Sequence, residues 1–166
     1  MAGPGVCSER FMLVGPERVF YAGLLGRPRR RTLGSLIVFA SMQGGLRLSV
    51  AGEPDRLVEA AVMPAYREHS IEPEHPSVIG VLIEPESVEA MALDHLAAEL
   101  GSLAEGELAD RLRLAHARLR AMPLKHRMGA ADFDTAVFGA PLPPRLLDRR
   151  IARVLAALRD QPGEAF

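Results

Sequence analysis

Among side chains that could do chemistry, His69 in Pro64-Ala65-Tyr66-Arg67-Glu68-His69 has the best setting, at the end of a turn between two apolar runs. The other histidines, His75, His95, His116 and His126, fall in a turn and on expected helices. First-row divalent metals need several nitrogen or oxygen ligands at one point, and a lone His69 cannot supply them, so no metal site is expected. A single cysteine, Cys7, rules out an internal disulfide and any paired-cysteine zinc site. No nucleophile elbow, phosphate-binding glycine loop or HExxH is present, and no Ser/His/acid set can be assembled from spacing. The carboxylates between Glu68 and Glu89 are dense enough to read as an acidic surface. These observations lead to the expectation of no catalytic residues, no cofactor and no enzyme. His69 then lines a pocket or satisfies a backbone carbonyl.

Charge is segregated. Between Glu53 and Glu99 eleven acids stand against Arg56 and Arg67, whereas from Glu105 to Arg127 six bases stand against three acids. The net charge of −1 makes these residues a poor DNA-binding domain on their own. The Arg27–Arg31 run could meet an anion or form a solvated loop beside Pro28. No apolar run approaches the ~20 residues of a membrane span, and the N-terminus has no basic-then-apolar leader. Arginine replaces lysine everywhere except Lys125, and asparagine is absent. A bacterial cytoplasm fits best.

The elements that position these residues change character along the chain. Arg18–Leu25, Leu36–Met42, Leu46–Val50, Leu57–Met63 and Val78–Ile83 read as short strands separated by Gly/Pro turns. Leu46, Leu48 and Val50 alternate with Arg47 and Ser49, the period of a strand with one wet face. Such spacing predicts an antiparallel sandwich or barrel. Helices are expected over Glu86–Leu100, Glu107–Met122 and about Arg145–Asp160, the last carrying Leu147, Ile151, Val154, Leu155 and Leu158. Leu108, Leu112, Ala115, Leu119 and Met122 follow at steps of 4, 3, 4 and 3. That is heptad spacing, flanked by Arg111 and Arg118; it suits either a coiled-coil seam or a face packed on the barrel.

These segments carry a resemblance. Met42–Val50 with its Gly44-Gly45 turn, Ala61-Val62-Met63-Pro64 running to His69, and Val81–Ser87 resemble the cupin-type sensor of AraC-family transcription regulators. Asp148–Arg159 resembles the first helix of that family's DNA-binding domain, which opens with Asp and a basic-apolar helix. Pro64–His69 resembles the second cupin motif, with Tyr66 where the motif has glycine; Arg27–Arg31 stands where the first motif would bring further histidines. The resemblance implies an α+β fold. A cupin-like antiparallel jelly-roll barrel over 8–85 would be followed by a helical dimerisation region over 86–143. Residues 144–166 would lead into a helix-turn-helix domain truncated here.

It further implies a small-molecule effector held near Phe39, Tyr66 and His69 in a largely apolar cavity inside the barrel. Arg29, on an arm that closes over the ligand, would pair with an effector carboxylate. The Leu108, Leu112, Ala115, Leu119 and Met122 stripe is expected to form a homodimer seam. DNA would be contacted only through the C-terminal domain. A rival reading is a small stand-alone cupin enzyme of isomerase or dioxygenase type, and a third is a binding or scaffold module.

Overall fold

The computed structural model describes residues 10–27, 29–122 and 128–160. The expectations placed on Cys7, Pro28, Lys125, His126 and Arg127 fall outside them. Eight strands come first: β1 (Phe11–Val14), β2 (Arg18–Leu24), β3 (Leu36–Ser41), β4 (Leu46–Val50), β5 (Arg56–Val58), β6 (Ala60–Met63), β7 (His69–Pro73) and β8 (Ser77–Ile83). A 3-10 turn, Pro85–Ser87, leads to α1 (Ala90–Ser102), α2 (Glu105–Ala121), α3 (Ala130–Phe138) and α4 (Arg149–Asp160).

All strand pairs are antiparallel, in a five-stranded sheet ordered β1-β2-β8-β3-β6 and a three-stranded sheet ordered β5-β4-β7. A bridge adds Arg31 to the free side of β7: Arg31 N–H donates to His69 O at 2.8 Å and His69 N–H to Arg31 O at 2.9 Å. The chain thus crosses repeatedly between β2-β8-β3-β6 and Arg31-β7-β4-β5. This is the interleaving of a jelly roll, the double-sheet architecture of cupins. The strand order establishes an α+β, cupin-like barrel followed by helices.

Burial explains the strand sequences. Leu36, Val38 and Ala40 of β3 join Phe20, Ala22, Ile79, Val81 and Ile83 on the helix side of the larger sheet. Ile37 and Phe39 face the other way, joining Leu46, Leu48, Val50, Val58, Ile71 and Val78 between the sheets. With both faces covered, β3 is buried at every position, so it reads as an unbroken apolar run. Where one strand was expected over Leu57–Met63, the chain turns a corner at Glu59 from β5 in one sheet to β6 in the other. The first helix begins at Ala90, capped by Glu89, whose carboxylate accepts from Met91 N–H at 3.1 Å and Ala92 N–H at 2.9 Å.

Helix α2 lies across the outer face of the larger sheet. Leu108, Leu112, Ala115 and Leu119 are all at most 3 % exposed and belong to the core cluster that contains the sheet's outer face. Expecting these residues to form a dimer seam is therefore corrected: their own barrel covers them. Only Met122, just past the helix, remains partly open at 41 %. Two heptads of apolar spacing mark a helix with one dry face and leave open what dries it. At the end of the chain, Leu146, Ile151 and Val154 are exposed, and the side chains of Leu155 and Leu158 fall outside the described residues.

Candidate functional site

His69 opens β7, where pairing with Val50 and the Arg31 bridge fix its backbone. Its ring is buried at 2 % exposure, with its centroid 5.6 Å from that of Phe39. The ring Nδ1 lies 2.8 Å from Arg67 O, a contact made as a donor when Nδ1 carries the proton. In that tautomer Nε2 is an acceptor, and it has no hydrogen-bond partner among the described residues. Imidazole and phenyl ring share an interior otherwise built from Ile37, Leu46, Leu48, Val58 and Ile71. These neighbours do not fit a metal centre. Among the described residues no three His, Cys, Asp or Glu side chains converge to hold an ion.

Tyr66 is elsewhere. Its backbone is left-handed, with φ +62°, and its N–H donates to Leu33 O at 2.7 Å. The side chain is 75 % exposed, beside Gly34. It borders an open groove of about 510 Å³ that also meets Val50, Val62, Met63, Glu53, Arg56 and Arg67. Glu53 accepts from Arg67 at 2.9 Å and lies 3.8 Å from Arg56, so the groove's polar end carries one excess positive charge. The expected single cavity lined by Phe39, Tyr66 and His69 is thus corrected. Phe39 and His69 face the barrel interior, and Tyr66 faces an external groove.

The left-handed turn explains this split, because it throws the Tyr66 side chain outward between two strands. The cupin pattern has glycine at this position, which tolerates positive φ without a Cβ clash. Arg29 is exposed, on the segment that reaches β7 at Arg31. Its neighbour Arg30 pairs with Glu68 at 3.1 Å on the surface.

Two features escaped the sequence reading. One is a second groove, of about 500 Å³, beside Phe11, Met12, Tyr21 and Leu24. It depends on β1, a short strand whose alternation is too brief to register. The other is a buried charge pair between Arg18 and Asp134. An arginine opening an otherwise apolar strand was its only trace in the sequence.

No family profile and no curated protein matches the chain. Among solved structures, it is similar to an RmlC-like cupin from Shewanella frigidimarina, at 14 % identity and a TM-score of 0.39, covering 45 % of this chain and 74 % of that one. A second is an RmlC-like cupin with a double-stranded β-helix fold from Methanocaldococcus jannaschii, at 9 % identity and a TM-score of 0.37, covering 50 % and 87 %. A third is the DMSP lyase DddQ from Ruegeria pomeroyi, at 13 % identity and a TM-score of 0.35, covering 42 % and 39 %.

The last of these corrects the expectation that the chain is not an enzyme. A lyase stands among the similar structures, so the lack of a catalytic signature in the sequence does not exclude catalysis. Among the described residues no helix is long and apolar enough to cross a membrane.

Proposed function

We propose that this chain is the effector-sensing half of a bacterial, cytoplasmic AraC-type transcription regulator. In this reading a small-molecule effector bound at the barrel alters how a DNA-binding region beyond α4 is held. The observation that carries the reading is the order of parts. A jelly-roll barrel is followed by a helical layer and a proline-rich strap. The strap ends in a helix with Arg149, Arg150 and Arg153 on its surface and with Ile151 and Val154 exposed. Exposed apolar residues on such a helix suit one that packs against further structure. An effector can shift the arrangement only by as much as its affinities for the two states differ.

A regulator that reads two half-sites is best served by a two-fold dimer. With the α2 stripe spoken for, a homodimer would have to use another surface. Reading the gene onward from Phe166 tests the proposal. It expects about 100 further residues with two helix-turn-helix patterns. The longer product should then bind a DNA site in a sequence-selective and salt-dependent way. A stop codon at that point, or an unrelated downstream sequence, would refute the regulator reading.

A further inference from the structure

The charge pair joins parts of the chain far apart in sequence. Arg18 opens β2 and Asp134 sits in α3, with their side chains only 4 % and 1 % exposed. The guanidinium donates from Nε to Oδ1 at 2.7 Å and from Nη2 to Oδ2 at 3.0 Å, a two-pronged contact that fixes direction as well as distance. Its remaining nitrogen, Nη1, donates to Ser87 Oγ at 2.6 Å and to Glu17 O at 3.1 Å.

Two of the three partners of this guanidinium, Asp134 and Ser87, also hold the strap that leads to α4. Asp134 Oδ2 accepts from Leu142 N–H at 3.3 Å, and Ser87 O accepts from Arg145 N–H at 3.2 Å. Between these points Glu89 N–H donates to Pro143 O at 2.9 Å, Val88 bridges to Pro144, and Arg145 pairs with Glu86. The strap contains Pro141, Pro143 and Pro144, so it is stiff and transmits position with little slack.

We propose that Arg18 is the joint through which the barrel sets the position of the strap and of α4. Displacing the start of β2 would move Asp134 and Ser87 together, and with them both ends of the pinned strap. A strand whose far end borders the Tyr21 groove is thereby linked mechanically to the C-terminal helix. The proposal rests on the regulator reading for its purpose, since that reading requires barrel and α4 to communicate. The linkage itself can be tested in this chain without DNA or effector, so its failure and the failure of the regulator reading are distinguishable.

The decisive measurement is amide hydrogen exchange on the double variant Arg18→Met/Asp134→Leu, which removes the pair without leaving a lone buried charge. Exchange at Arg145 and Glu89, whose acceptors the variant leaves in place, should accelerate about tenfold or more, while Val38 and Val81 in the central strands keep their protection. Trypsin cleavage at Arg145 and Arg149 should accelerate in parallel. Unchanged strap exchange in a folded double variant would overturn the proposal. Should that variant fail to fold, Ser87→Ala decides the matter, because it deletes the hydrogen bonds of Ser87 Oγ with Arg18 and with Glu84 O and leaves the charge pair intact. Faster exchange at Arg145 supports the joint, and unchanged exchange refutes it.

Discussion

Replacing Leu112 with alanine tests the placement of α2 most directly. Leu112 is 2 % exposed and sits in the cluster that joins α2 to the outer face of the larger sheet. Removing a leucine side chain from such a site loses its transfer free energy and leaves a cavity, together about 3 kcal/mol within a range of roughly 2–5. For a chain of 166 residues, an unfolding entropy of roughly 2.1 cal/mol/K per residue amounts to about 0.35 kcal/mol/K, so the melting temperature should fall by about 9 °C. Circular dichroism melts at about 2 and about 50 µM are the assay, because only a loss at an intersubunit contact depends on concentration.

The fall should be the same at both concentrations. The double variant Leu112→Glu/Leu119→Glu should not fold, since burying two carboxylates costs several kcal/mol each, against a total stability of roughly 5–15 kcal/mol. A concentration-dependent loss, or a double variant that is a folded monomer, would show that the stripe faces a partner and that the packing argument is wrong.

Three further outcomes follow from local geometry. Arg18→Met alone should destabilise by about 3–5 kcal/mol in urea titration, because it strands the buried Asp134 carboxylate, and adding Asp134→Leu should restore most of that loss. Tyr66→Gly should prove more stable than Tyr66→Ala by about 0.5–1 kcal/mol, because both lose the ring while only glycine escapes the left-handed strain, less its own chain entropy. Equal melting temperatures for that pair would argue against strain at Tyr66. Glu89→Ala should cost about 1 kcal/mol by removing the cap of α1, read as a proportionate drop in the urea midpoint.

Much of the fold was legible because strands and helices impose their periods locally. The alternation of Leu46, Leu48 and Val50 marked β4 with its register of inward residues. The Gln43-Gly44-Gly45 run marked the turn before it, where Gly44 takes φ +69°. Elements with weak local signals were missed, namely the four-residue β1, the strand β7 that His69 opens and the short α3. The corner at Glu59 was also hidden, since a continuous apolar pattern does not say which sheet each half joins.

The candidate site was less legible. His69 and Phe39 were singled out and do meet, but the residue between turn and strand, Tyr66, points away from them. Its position in a glycine-type turn was visible as a mismatch of residue type, whereas the direction of its side chain depends on a backbone angle that the turn imposes.

What the sequence determined by itself was the set of amphipathic surfaces: which strand faces are dry, which helix stripe is apolar, and where turns break the chain. Tertiary structure alone decided which surfaces cover one another. The α2 stripe has the spacing of a dimer seam, yet the barrel's outer sheet is closer at hand and dries it without a partner. Arg18 and Asp134 are 116 positions apart, and no local pattern signals their pairing. Hydrophobic burial is non-directional and carries no address, so partner choice is set by how the whole chain closes.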